Sequence, residues 1–102
     1  MRLDLNHHRS HGTRVFAGRD RGKSVRDAVD LDARDLEPGT VDVVVPQDTL
    51  YVSSSFFLGL FGKSVRTLGE DAFRAKYRFS GGDITSTLDA GVREALKTQL
   101  PF

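Results

Sequence analysis

The stretch that decides the fold is Thr40-Val41-Asp42-Val43-Val44-Val45, followed after a break by Leu50-Tyr51-Val52-Ser53-Ser54-Ser55-Phe56-Phe57-Leu58-Gly59-Leu60-Phe61-Gly62-Lys63. Its first part is a β-branched run. Val43 to Val45 are continuous, which suits a strand covered on both faces. Pro46-Gln47-Asp48-Thr49 ends the strand, and Leu50-Tyr51-Val52 reads as a short extended piece. A serine hydroxyl among Ser53, Ser54 and Ser55 can cap a helix by accepting a bond from a free N–H. Phe56, Phe57, Leu60, Phe61, Val65 and Leu68 then recur at helical spacing and make a wide apolar stripe for packing on a sheet. Gly69 is a natural stop. Gly59 and Gly62 each lower helix propensity by ~1 kcal/mol relative to Ala, and they permit close approach of backbone, partner or ligand.

Upstream, Leu3 and Leu5 alternate with Arg2, Asp4 and Asn6, the period of a half-buried strand. The polar, Gly-terminated run His7 to Gly12 reads as a hairpin loop, with Thr13-Arg14-Val15-Phe16 as the returning strand. Gly18-Arg19-Asp20-Arg21-Gly22 breaks the pattern. Val25, Ala28 and Val29 predict a short helix over about 20–30. Glu37-Pro38-Gly39 is a turn. Downstream, Glu70 to Ala75 allows a further helical turn. Tyr77-Arg78-Phe79 reads as a strand and Ser80-Gly81-Gly82 as a loop. Asp83 caps a last helix with Ile84, Leu88, Val92, Ala95 and Leu96 on one face, ended by Pro101. Strands and helices alternate after a hairpin-like start, so the expected class is α/β: one small sheet of about four or five strands with helices packed on it.

The 102 residues suit a single domain. Zero cysteines remove disulfides, thiol catalysis and thiolate metal sites. There is no apolar run of the ~20 residues a bilayer span needs. Met1-Arg2-Leu3-Asp4 has no signal-peptide character, so a cytoplasmic protein is expected. Net charge is only +1, yet the basic residues are 11 Arg against 4 Lys. Arginine is favoured where a planar cation meets phosphate or carboxylate.

Three segments offer chemistry. The serine cluster opens a helix, where unsatisfied N–H groups and the helix dipole favour an anion, bound or covalently attached. Plain capping is the competing explanation. The second segment, Gly18-Arg19-Asp20-Arg21-Gly22-Lys23-Ser24, places three cations and two glycines between a strand and a helix. Such a loop can cradle phosphate, with Gly18, Arg19, Arg21, Gly22 and Lys23 as the anion-binding candidates. It lacks the spacing of a Walker A or dinucleotide loop, and a solvated turn in which Asp20 pairs with the neighbouring arginines is the more ordinary explanation. The third, His7, His8 and His11, reads as a polar turn rather than a metal site. No cofactor or metal is implied. No Ser-His-Asp arrangement or paired catalytic carboxylates can be picked out, so an enzyme is not expected.

Strand, serine cluster, then an apolar helix carrying Gly62-Lys63 resembles the STAS domain of sulphate transporters and anti-sigma-factor antagonists. Those antagonists carry Asp-Ser-Ser-Gly at this junction, and the second Ser is phosphorylated by a partner kinase of the histidine-kinase ATPase fold. Laid on this chain, Ser53 falls on the Asp, Ser54 on the first Ser, Ser55 on the phosphoacceptor and Phe56 on the Gly. The order Gly18-Arg19-Asp20-Arg21-Gly22, Val41 to Val45 and Ser54-Ser55-Phe56, with Gly69-Glu70 and Phe73 following, is similar to the bacterial STAS-like domain family over about residues 13–98. The resemblance implies a non-enzymatic regulatory module with a protein partner, an ATPase of histidine-kinase fold. Ser54, Ser55, Phe56 and Lys63 would then form the phosphoacceptor and partner-binding site. The alternative is a phosphate, nucleotide or nucleic-acid binder using the Gly18–Gly22 loop with Arg14 and Lys63. A pI near 8.2 and the lack of an aromatic stacking platform disfavour nucleic acid.

Overall fold

In the computed structural model, residues 1–9 and 13–97 are described, and they form a parallel α/β fold. Strand β3 (Val41–Val45) is its centre. It pairs in parallel with β1 (Arg2–Asp4) on one side and β5 (Tyr77–Gly81) on the other, with Leu3 opposite Val43 and Val43 opposite Phe79. Val41, Val43 and Val45 are buried, whereas Asp42 is exposed and Val44 half-buried. The valine run is therefore not covered equally on both faces, as its continuity suggested: Asp42 and Val44 turn the second face outward.

A separate two-stranded ladder joins β2 (Val15–Phe16) to β4 (Tyr51–Val52), also in parallel. The expected N-terminal hairpin is thus corrected. β1 and β2 do not pair, because each takes a partner about forty residues downstream. Between them, Leu5–His8 winds into a 3-10 turn capped by Asp4, which accepts the Asn6 N–H at 3.0 Å. The expected single sheet is likewise two: five strands, divided three and two.

Among the described residues, five helices besides that 3-10 turn cover these strands. Helix α1 (Arg19–Val29) starts at Gly18 and ends at Asp30, whose φ of 54° turns the chain into α2 (Leu31–Asp35). Helix α3 spans residues 54–68 and is α-helical over Ser54–Phe57 and Lys63–Leu68, with a π-turn over Leu58–Gly62 between them. Nearly every apolar side of it is covered, including Phe56, Phe57, Leu58, Leu60, Phe61 and Val65, which makes it the central helix. Gly69 ends it with a φ of 84°. Helix α4 (Glu70–Lys76) runs directly into β5, and α5 (Thr85–Lys97) closes the described fold. Asp83 accepts the Thr85 N–H at 2.9 Å, so the expected acidic start of α5 is present. Its expected end at Pro101 lies outside the described residues.

The core is aromatic where α3, α4 and β5 meet. Phe61 packs on Tyr77 at 5.6 Å and on Phe79 at 5.4 Å, and Phe73 stacks on Tyr77 at 4.8 Å. No helix among the described residues is long and apolar enough to cross a membrane.

Candidate functional site

The three serines separate by role. Ser53 is the cap: its Oγ accepts the Phe56 N–H at 3.0 Å, and its own N–H donates to the Phe16 carbonyl at 2.8 Å. Ser54 and Ser55 are exposed on the first turn of α3, and neither hydroxyl has a hydrogen-bond partner among the described residues. They are surplus to capping. Phe56 requires a correction. It is 1% exposed and lies 5.4 Å from the Phe16 ring, so it is a core residue and not a partner-facing one. Lys63 also leaves the serine cluster: it lies beyond the π-turn, with its Nζ donating to Asp32 at 2.9 Å.

The β2–β4 ladder leading into these serines is unusually apolar on its surface. Val15 and Tyr51 are register partners, and with Leu50 they are 41%, 55% and 73% exposed. Singly exposed apolar residues are ordinary; a group at one place is informative.

The Gly18–Gly22 segment is not a loop. Gly18 alone is outside the helix, and Arg19 to Gly22 are the first turn of α1. Gly22 is buried against α3, where a Cβ would meet the Phe56 carbonyl and come within 2.8 Å of the Leu60 nitrogen. Its glycine is there for helix contact and not for phosphate approach. Nor do the cations converge. Arg21 donates to the His8 carbonyl at 3.2 Å beside a shallow hollow, whereas Lys23 lines a different groove with Lys63. Arg19 is exposed, and Arg14 pairs loosely with Asp48 at 3.8 Å. His7 and His8 sit in the 3-10 turn, and His11 lies outside the described residues.

A buried polar network was missed at the sequence level. Arg26, 6% exposed, projects from α1 into the seam between α2 and α3. Its Nη1 donates to the Leu60 carbonyl at 2.9 Å and to Ser64 Oγ at 2.8 Å, and its Nη2 donates to Asp35 at 3.1 Å. Asp35 also accepts from Ser64 Oγ at 2.6 Å and from the Tyr77 hydroxyl. Each buried polar group is thereby satisfied by another. Burial, and then the hydrogen bond to Asp35, push the Tyr77 phenol well above its ordinary range. The signal lay in the helical period. Gly22, Val25, Arg26 and Val29 share one face of α1, and Ser64 interrupts the stripe Phe57, Leu60, Phe61, Val65, Leu68. Polar residues inside apolar stripes are the ones that need buried partners.

The network reaches the surface through Asp32. Arg26 donates to Asp32 Oδ1 from Nε at 3.0 Å and from Nη2 at 2.8 Å, and Lys63 holds Oδ2. The hydrogen bonds from Lys63 and Arg26 hold the Asp32 carboxyl below the usual carboxylate range. Beside this bridge is a groove of about 320 Å³ between α1 and α3. Ser64 is fully buried and linked to a carboxylate and a phenol, with no imidazole in the network, so it has neither access nor a base of the kind nucleophilic catalysis uses. No family model, curated protein or solved structure matches the chain.

Proposed function

We propose that the chain is a STAS-like, non-enzymatic interaction module of the cytoplasm that docks a protein partner through the β2–β4 surface and the first turn of α3. Phosphorylation of Ser54 or Ser55 by an ATPase of histidine-kinase fold switches that contact. One observation carries the reading. Two exposed serines whose hydroxyls have no hydrogen-bond partner among the described residues follow closely on the exposed apolar group Val15, Leu50 and Tyr51.

A partner that buries Leu50 and Tyr51 covers the start of α3 as well. A phosphate added there brings roughly two negative charges and a hydration shell into the contact. The helix itself tolerates the charge, because its N-terminal N–H groups favour an anion. Modification therefore alters the surface and leaves the fold intact.

The test is a pull-down with a histidine-kinase-fold ATPase from the same genome. Wild type and Ser55→Ala are retained, whereas Ser55→Asp and Tyr51→Asp are lost. Equal retention of all four proteins rejects the switch and the docking surface together. Loss of Tyr51→Asp alone rejects only the switch.

A further inference from the structure

The groove between α1, α2 and α3 contains neither Ser54 nor Ser55, and its chemistry is different. Four cations line it, Lys23, Arg26, Lys63 and Arg66, against the two carboxylates Asp27 and Asp32. Gly59 forms part of its wall, where the backbones of α1 and α3 touch. Lys23 makes no ion pair among the described residues.

The decisive feature is how Asp32 is held. The Arg26 guanidinium cannot swing outward, because the Leu60 carbonyl, Ser64 and Asp35 fix it from the buried side. Its remaining edge faces the groove and delivers two N–H bonds to one oxygen of Asp32, while the Lys63 ammonium takes the other oxygen. A rigid guanidinium edge with an ammonium beside it is the donor set that grips phosphoryl and carboxylate oxygens. Here it grips a carboxylate of the chain itself. The Asp32 side chain is 55% exposed and stands on a helix of only five residues. Its pair with Lys63 is exposed on both sides, and such pairs are weakly held. When Asp32 turns away, Lys63 loses its counter-charge, Arg26 keeps only the buried Asp35 behind it, and Asp27 is the one carboxylate left in the lining.

We infer that this groove is a seat for a phosphoryl dianion, as free phosphate or the phosphate of a small monoester, and that Asp32 is its built-in competitor. The ligand takes the place of the Asp32 carboxylate on Arg26 and Lys63, with the Lys23 ammonium supplying the further charge. A volume of about 320 Å³ accepts the phosphoryl group with a small organic remainder.

Calorimetric titration of the full chain at constant ionic strength tests this, with inorganic phosphate, O-phosphoserine and AMP as probes. Asp32→Asn removes the competing charge and keeps the side-chain shape, so the best probe binds it about tenfold more tightly than wild type. Lys63→Gln and Lys23→Gln, both replacing side chains outside the core, each bind that probe about tenfold more weakly. Ser55→Ala binds it as wild type does, which separates this site from the docking surface. Equal affinity for all three probes supports free phosphate as the source, and a clear preference for phosphoserine or AMP supports that monoester. Absence of binding to Asp32→Asn by every probe overturns the inference. So does equal affinity of Asp32→Asn and wild type, provided circular dichroism shows both folded.

Discussion

Replacing Gly59 by alanine sets two opposed effects against each other, and the structure says which wins. In an exposed helix interior the change stabilises by about 1 kcal/mol, because alanine has the better propensity. At Gly59 the new Cβ would collide with the Arg19 carbonyl oxygen and stand 3.0 Å from the Arg19 carbonyl carbon and 3.1 Å from the Lys23 nitrogen. These atoms are backbone, so no rotamer change relieves the clash, and α1 itself must move away from α3. Overpacking of this kind costs ~1–3 kcal/mol, and more when backbone has to shift. The net expectation is a loss of about 2 kcal/mol, the upper part of that range less the propensity gain. For a domain of this size that lowers Tm by about 10 °C. Gly22→Ala faces the same seam from the other side, with its Cβ 2.8 Å from the Leu60 nitrogen and 3.1 Å from the Gly59 carbonyl carbon. The double variant therefore loses less than the two single losses added, since one separation of the helices relieves both clashes. Ser24→Ala, on an exposed part of α1, is the propensity control and gains a few tenths of a kcal/mol. Thermal and urea denaturation followed by circular dichroism measure all four. Alanine variants as stable as wild type would refute the close crossing and the reason given for both glycines.

The buried network gives a graded series. Asp35→Ala leaves the Arg26 guanidinium and two hydroxyls without a central acceptor and costs about 3–5 kcal/mol in urea denaturation, whereas Tyr77→Phe removes only the phenol hydroxyl with its contacts to Asp35 and Ser64 and costs about 1–2 kcal/mol; equal losses contradict a network centred on Asp35. Tyr77 also predicts an alkaline weakness. Its phenol ordinarily titrates near 10.0 and is held protonated to higher pH in the folded chain, so its stabilisation is complete below that pH and declines as pH rises above it. Wild type then loses stability as pH rises above about 10 faster than Tyr77→Phe does, and parallel slopes count against the assignment. At the serine cluster, Ser53→Ala lowers stability by about 1 kcal/mol through loss of the cap, while Ser54→Ala and Ser55→Ala stay within ~0.5 kcal/mol of wild type; matching losses at all three sink the division of roles.

What was legible in the chain was local. The β-branched run 41–45, the apolar stripe of α3, its stop at Gly69 and the acidic start of α5 all follow from period and end chemistry within a few residues. What failed was set by distant residues. Two extended pieces around a polar loop read as a hairpin, but the pairing of β1 with β3 and of β2 with β4 is decided by which strands later crossovers deliver beside them. Gly22 read both as part of a phosphate-cradling loop and as lying inside the helix over about 20–30; the helix is what forms, and α3 leaves no space for a Cβ there. Phe56 was grouped with its serine neighbours by position along the chain, whereas successive residues on a helix face different directions. Serine at 54 and 55 faces water, and phenylalanine at 56 faces Phe16.

The glycines, the π-turn and Arg26 act as one device. The π-turn resets the backbone ladder from i→i+4 to i→i+5, and the carbonyl of Leu60 within it accepts the Arg26 bond. Arg26 reaches that carbonyl where Gly22, one turn before it, and Gly59, next to Leu60, let the two helices touch. Its position in turn decides which guanidinium edge faces Asp32 and Lys63. It follows that Gly59→Ala acts on the groove as well as on stability. Under conditions where the variant is folded, its phosphate affinity falls along with its Tm, while Ser55→Ala changes neither. A Gly59→Ala protein that loses stability and keeps full phosphate affinity would show that Arg26 does not need the close crossing, and the coupling argued for the two would be wrong.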